Sequence, residues 1–374
     1  MEAVDIRGDG IRLRAYRADD LDAIVAGYCD PQTRRFLRAL PSPFTRRHGT
    51  WYLNEAVPGL FAQGGGAYAI ADPVTGRLLG GASLERPVPT RQQAELGYWV
   101  APEARQRGVA TAAVRALCAH AFGAGIARLE LLTHWENAAS QRVALAAGFQ
   151  REGVRRGAVA GPDGGREELL AFARLAGDPP GPTPRLLPDL PGGELTDGVV
   201  TLRPLAPEDV DFCAELHNVP DVIATSVPPV PPAREQIVRR CTYAAANWLA
   251  GTRADLVITD AATGTPAGDI GLFYQEPQTA QAMIGYSMLP AWRGRGFPTR
   301  AAQLLSLWAF AETSIARLIA GALPSNLGSQ RVLERAGFHR EAYLRSRLPG
   351  LAGSRLDDVQ YVLLPEDVLK SAGA

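Results

Sequence analysis

The sequence predicts an α/β protein of the α+β kind: two tandem domains, each a mixed, largely antiparallel sheet with helices on both faces. The first observation behind this is an internal repeat. Arg105-Gln106-Arg107-Gly108-Val109-Ala110-Thr111 returns as Arg293-Gly294-Arg295-Gly296-Phe297-Pro298-Thr299, an offset of 293 minus 105, or 188. Gly97-Tyr98 returns as Gly285-Tyr286, and Leu13-Arg14 with Asp20 returns as Leu202-Arg203 with Asp209. Asn137 with Ser140-Gln141-Arg142-Val143 returns as Asn326 with Ser329-Gln330-Arg331-Val332, at 326 minus 137, or 189. One residue of drift marks a duplicated domain, and half of 374 residues is an ordinary domain size. The second observation is punctuation: Ala176 to Pro184, continuing through Pro188, Pro191, Gly192 and Gly193, is richer in Pro and Gly than helix or sheet tolerates. It reads as an extended, semi-rigid linker over 176–197 between domains 1–175 and 198–374. The third is the order of elements in each copy, a hairpin first and strand-loop-helix units after it.

Each copy opens on a strand, Ile11 to Tyr16 or Val200 to Leu205. Helical segments follow, with Ala18-Asp19-Asp20 and Pro207-Glu208-Asp209 supplying the acidic start that suits a helix N-terminus. The hairpin comes next. Apolar runs Ala67 to Ala71 and Leu256 to Thr259 end in Asp72-Pro73-Val74-Thr75-Gly76 and Asp260-Ala261-Ala262-Thr263-Gly264, which are turn chemistries. A strand through Glu95 to Val100, or Met283 to Leu289, then runs into the Arg/Gly loop and a helix rich in Ala, Leu and Val. The last strand, Leu129 to Thr133 or Leu318 to Leu323, precedes a helix that starts at Ala138 or Leu327 and stops at Gly148 or Gly337.

With 46% apolar and 21% charged residues, the chain has the material for packed cores. A formal net charge of zero offers no general attraction to nucleic acid or to an anionic membrane. Cys29, Cys118, Cys213 and Cys241 lack CxxC spacing and the histidines are scattered, which argues against disulfide frameworks and metal sites. Met1 to Gly10 is polar and acidic, and no apolar run reaches about 18 residues. A cytoplasmic protein is expected, with no nucleic-acid or membrane partner.

A strand that ends in Arg-x-x-Gly-x-Ala and passes directly into a helix aims backbone N–H groups at one point, where they suit phosphate oxygens. Glycine lets the backbone approach the anion and arginines add charge at the rim. The loop has neither the Gly-Lys-Ser/Thr end of an NTP-binding loop nor a GxGxxG. At these residues the sequence resembles the GNAT superfamily of N-acetyltransferases, whose acyl-CoA loop reads Gln/Arg-x-x-Gly-x-Gly/Ala. Ala94-Glu95-Leu96-Gly97-Tyr98-Trp99-Val100, and Asn137 to Ser140 with Ala147-Gly148-Phe149, resemble its ribosomal-protein N-acetyltransferase-like branch.

The resemblance spans 11–175 and 199–364 and implies acetyl-CoA as acyl donor, with a splayed sheet. It places the CoA pyrophosphate on the backbone of Arg105, Gln106, Arg107, Gly108, Val109, Ala110 and Thr111, or of Arg293, Gly294, Arg295 and Gly296. Backbone around Val100 or Met288 pairs with pantetheine and the thioester, and Asn137 or Asn326 bonds the pantetheine arm. The amine enters where the sheet splays, and a backbone N–H there stabilises the oxyanion.

The copies differ at the chemistry. An alkylammonium titrating near 10 must lose its proton before attack, and Glu95 is the candidate base, directly or through water; it could instead pair with a surface Arg. At 95 plus 188 the second copy carries Met283. Ser140 and Ser329 stand where relatives protonate the departing thiolate, or they simply bond backbone in the first turn of a helix. Pro298 replaces Ala110 and cannot donate to phosphate, a loss of about 1.5 to 3 kcal/mol. Turnover is therefore expected in the first copy, by direct attack without a covalent enzyme intermediate, with a degenerate second copy. His134 and Trp135 are candidates for the substrate wall, with Trp51, Tyr52 and Trp99 nearby. A small-molecule amine is favoured slightly over a protein N-terminus, and a non-catalytic acyl-CoA-binding protein is the alternative.

Overall fold

The computed structural model describes residues 4–37, 40–161 and 164–372 and divides into two compact units, Met1–Pro184 and Arg185–Ala374. In the first, strands β1 (Ile6–Gly8), β2 (Ile11–Arg14), β3 (Gly66–Ala71), β4 (Leu78–Val88), β5 (Gln93–Val100), β6 (Arg128–Thr133), β7 (Gln150–Ala160) and β8 (Arg166–Leu175) form one sheet in the order β1-β2-β3-β4-β5-β6-β8-β7. Helices α1 (Leu21–Cys29), α2 (Pro31–Phe36), α3 (Arg46–Trp51) and α4 (Val57–Ala62) lie between β2 and β3; α5 (Val109–Gly123) and α6 (Ala138–Ala146) flank β6 in sequence.

The second unit repeats this plan. Its strands are β9 (Leu195–Thr196), β10 (Val200–Pro204), β11 (Arg253–Asp260), β12 (Pro266–Glu276), β13 (Gln281–Met288), β14 (Arg317–Ala322), β15 (His339–Pro349) and β16 (Arg355–Leu363), in the order β9-β10-β11-β12-β13-β14-β16-β15. Helices α7 (Val210–His217), α8 (Pro220–Thr225) and α9 (Arg234–Leu249) occupy the place of α1–α4, α10 (Phe297–Glu312) and α11 (Leu327–Arg335) match α5 and α6, and α12 (Pro365–Ala372) follows the last strand. The Pro/Gly segment divides between the units. Thr183 bonds Leu145 and Phe149 in the first, while Leu187 and Leu190 are buried in the core of the second, where the Trp248 indole donates to the Pro188 carbonyl at 2.9 Å.

One feature of each sheet positions everything that follows. β5 and β6 are parallel, but they pair only at Gln93–Arg128, Ala94–Leu129 and Glu95–Glu130. Beyond Glu95, β5 stays with β4 as far as Gly80–Val100, and β6 stays with β8 as far as Thr133–Leu170. β13 and β14 part in the same way after Met283–Ile319. The sheet is thus splayed in both units. α5 buries Val109, Ala113, Val114, Leu117 and Ala121, and α10 buries Phe297, Ala301, Ala302, Leu305 and Trp308.

The repeated Arg and Asp near each start are an ion pair, fully buried in the first unit. Arg14 grips Asp20 through two bonds, Nη1–Oδ2 at 2.7 Å and Nη2–Oδ1 at 2.8 Å, with both side chains about 95% buried. Asp20 also accepts the Arg17 N–H, and Arg14 donates to the Gly76 carbonyl, so β2, the turn into α1 and the β3–β4 hairpin are tied together. Arg203 and Asp209 repeat the fork at 2.8 and 2.6 Å. Removing one partner leaves the other charge buried. Asp20→Asn is expected to destabilise the first unit by about 3–5 kcal/mol, read as a lower unfolding midpoint in denaturant, whereas an exposed pair would move it by less than about 1 kcal/mol.

Candidate active site

The Arg/Gly loop turns on two left-handed residues. In the first copy they are Gln106 at φ 58° and Gly108 at φ 76°, and in the second Gly294 at 74° and Gly296 at 79°. The backbone path is therefore shared, although the first copy holds a non-glycine residue in a region that side chains disfavour. Gly108 is the N-cap of α5 and has no side chain with which to cap it; the first intrahelical bond runs from the Ala112 N–H to the Gly108 carbonyl. The N–H groups of Val109, Ala110 and Thr111 precede that bond and stand outside the helical ladder, an arrangement suited to an anion. In the second copy Pro298 occupies the second position of α10 and removes one donor.

The arginines of the loop do different things. Arg105 is committed internally: Nε donates to the Val100 carbonyl at 3.2 Å, Nη1 to Gln32 at 2.8 Å, and Nη2 to Asp30 and Thr33. It fixes the loop to the end of β5 and to α2, so its guanidinium is not the rim charge that the sequence suggested. Arg293 does the same with the Met288 carbonyl and Asp221. Arg107 is exposed and donates to the Glu103 carbonyl at 3.5 Å, while Arg295 stacks on Trp292 with its guanidinium carbon 5.0 Å from the ring centre.

Across the splay, Asn137 caps α6, its Oδ1 accepting the Ser140 N–H at 3.1 Å, and Asn326 caps α11 through Ser329 at the same distance. The Ser140 hydroxyl does not back-bond to its own helix. It accepts the Tyr98 hydroxyl at 3.0 Å, bridging β5 to α6, and Tyr286 meets Ser329 at 2.8 Å. Burial pushes both phenols up to about 12, so each stays protonated. Tyr98 was legible in the sequence only as half of the repeated Gly-Tyr, with nothing to give it a role.

Glu95 points to the opposite face of β5. There it pairs across strands with Glu85, whose Oε1 accepts the Ser83 hydroxyl at 2.7 Å. A bulge in β4 between Glu85 and Val88 puts Arg86 at φ 46°, from where its guanidinium donates to Glu95 Oε2 at 2.7 Å. Glu95 thus pairs with an Arg and also lines a cavity. Burial raises its pKa, opposed by Arg86 and reinforced by the Glu85 charge. The cavity measures about 470 Å³ and is lined by Glu95, Phe36, His134, Leu132 and Leu169, with Arg86, Arg155, Arg156 and Arg166 around it. Glu85 was missed in the sequence because only the strand register places it opposite Glu95.

Of the aromatic candidates, His134 lines this cavity and contacts Glu167 at 3.4 Å. Trp135 instead stacks under Arg151, and Trp51 is 60% exposed. Tyr52 and Trp99 pack with Tyr16 and Tyr28 behind the site. A Cβ on Gly81 would stand 2.1 Å from the Tyr16 hydroxyl and 2.6 Å from the Trp99 indole nitrogen, so glycine is required there.

In the second copy the same face is filled. The register puts Phe273 and Met283 where Glu85 and Glu95 stand. The Phe273 ring lies over Gly271 and Gly285, 3.2 and 3.9 Å from where their Cβ atoms would be, and Arg253 covers it at 4.3 Å. Asp269 stands at the place of Gly81, facing Ser287 where the first copy has Trp99. It accepts from His217 at 2.8 Å and Arg240 at 2.7 Å, and Arg240 also holds Asp255. Burial would raise the Asp269 pKa, but the Arg240 guanidinium and the hydrogen bond from His217 hold its carboxyl well below the usual carboxylate range.

A probable N-acetyltransferase of Bacillus subtilis (strain 168), YjcK, is 46% identical over 67 residues, covering 18% of this chain and 37% of that protein. A second N-acetyltransferase from the same strain, YnaD, is 30% identical over 84 residues, covering 22% of this chain and 49% of its own. The chain therefore spans half or less of the length of these curated relatives. Mycobacterium smegmatis RimJ in complex with CoA-disulfide superimposes with a TM-score of 0.42 and 22% identity, over 48% of this chain and 93% of that one. The acetyltransferase (GNAT) domain family matches twice, at residues 11–150 and 200–339, and the chain belongs to that family as a tandem duplication.

Proposed function

We propose that the first copy is an N-acetyltransferase that moves acetyl from acetyl-CoA to a primary amine, and that the second copy does not turn over. The observation that carries this is the splay itself: it sets an open helix N-terminus on one side of β5 and a carboxylate-bearing cavity on the other. The open N–H groups of Val109, Ala110 and Thr111 suit the CoA pyrophosphate, backbone near Val100 is free of β6 and suits the pantetheine and thioester, and the Asn137 amide lies beyond it. The donor supplies an activated thioester carbonyl.

The residues of the chain supply the rest. Glu95 takes the proton of the incoming ammonium, and Glu85 beside it favours the cationic form on arrival. The amine then attacks directly. Ser140 accepts from Tyr98, which leaves its own proton free to give to the departing thiolate. A thiol of pKa about 8.5 leaves readily, so this help is modest. A small-molecule acceptor in the cytoplasm remains the favoured setting, since a cavity of about 470 Å³ matches small ligands. Phe273 and Met283 deny the second copy both base and space.

Amine-dependent thiol release is the test. Glu95→Gln should cut kcat about 100-fold while calorimetric affinity for acetyl-CoA is unchanged; binding of acetyl-CoA without amine-dependent release in the native chain would overturn the reading. Glu95 works ionised, so kcat/KM should fall as pH drops through its raised pKa. Arg86→Ala removes the charge that opposes the rise and should move that acid limb to higher pH; a stationary limb would exclude Glu95 as its source. Tyr98→Phe should lower kcat by about tenfold or less without changing the KM for acetyl-CoA, as expected for assistance to a good leaving group. Replacing Arg293 and Arg295 together by Ala should leave kcat intact, and loss of activity there would move catalysis to the second copy.

A further inference from the structure

We infer that the acceptor of the first copy carries, besides its amine, an anionic group, a carboxylate or phosphate, that Arg156 and Arg166 receive while the amine lies at Glu95. This rests on the reading of the Glu95 cavity as the acceptor site. The argument is a charge balance around one cavity. Four arginines and one glutamate line it. Arg86 is matched by Glu95 itself, Arg155 by Glu130 from the adjoining β6, and His134 by Glu167. Two guanidinium groups remain. Arg166 on β8 spends Nε on the Gly157 carbonyl at 2.6 Å, which clips β7 to β8, and its Nη groups meet no carboxylate among the described residues. Arg156 on β7 meets no carboxylate among the described residues.

Both guanidinium groups are exposed at the edge of the same small cavity, and the planar fork matches carboxylate and phosphate oxygens in pairs. Glu95 and Glu85 make the opposite demand at the floor, where the register sets two carboxylates side by side. A ligand satisfying both ends has its positive amine at the strand and its negative group at the β7–β8 hairpin. A plain alkylamine satisfies only one, and leaves the arginines unpaired.

Thiol release is measured with pairs of ω-amino acids and their amides, and with ω-aminoalkyl phosphates and their alcohols, of matched chain length. The anionic member of a pair should have kcat/KM at least about tenfold higher, the worth of a charge-assisted contact, and the carboxylate and phosphate arms decide which anion is read. Arg156→Ala with Arg166→Ala should abolish that preference by raising the KM of the anionic member, while the KM for acetyl-CoA is unchanged. Equal rates for charged and neutral partners, or a preference that survives the double variant, would overturn the inference. Calorimetry of the same compounds into the CoA-saturated protein separates this from the transfer reading. Anion-dependent binding without thiol release would uphold the inference while sinking the catalytic proposal, and absence of both would overturn it.

Discussion

Everything at the site depends on two strands that part. β5 and β6 make three parallel pairs and then give up the remaining ladder, which leaves backbone N–H and C=O groups of β5 without their ordinary partners on one side. A sheet carries such a loss only where neighbours on the other sides hold it in place. β4 does so along the full length of β5, and Arg105 fastens the far end by bonding the Val100 carbonyl and reaching α2. The opening is therefore a rigid gap with a helix N-terminus on one side and an acidic floor on the other, and the chemistry proposed for it needs little more than two reactants held there.

The duplication shows which parts of this arrangement are structural. Parting strands, left-handed turns, the arginine fastening, the capping asparagine, the Tyr–Ser bridge and the Arg–Asp fork stand in both units. The face that carries Glu95 in the first copy differs entirely. Where the first copy leaves a cavity between two glutamates, the second packs Phe273 and Met283. Where the first keeps Gly81 small so that Tyr16 and Trp99 can close over it, the second buries an aspartate and satisfies it with His217 and Arg240. Each is a coherent solution of its own: aromatic packing in one, and in the other a buried charge network that stays stable because no member lacks a partner.

The sequence was a good guide wherever a signal is local or repeated. The turn residues, the Arg/Gly loop and the glycines after the last helices lie at fixed spacings along the chain, and their backbone demands are met within a few residues. Glu95 was singled out because its strand adjoins the loop. Glu85 was not, because ten residues of sequence separate it from Glu95 and only the β4–β5 register makes them neighbours. Arg105 looked like a cationic rim, since nothing in its motif reveals Asp30, Gln32 and Thr33 about seventy residues earlier. The Pro/Gly segment reads as a linker by composition, yet composition is silent on Leu187 and Leu190, which the second unit buries.

By itself, then, the sequence determined the duplication, the class of fold, the Arg/Gly turn at the helix start and the inequality of the two copies at Glu95/Met283 and Ala110/Pro298, because repeats and backbone preferences are properties of residues in order along a chain. Only the tertiary structure decided what surrounds those residues: which guanidinium groups are already paired, which two carboxylates share a floor, and that Phe273 closes a cavity which the first copy leaves open. The physical reason is that charge balance and free volume are sums over neighbours in space, and register across a sheet brings together residues whose separation in sequence carries no trace of the encounter.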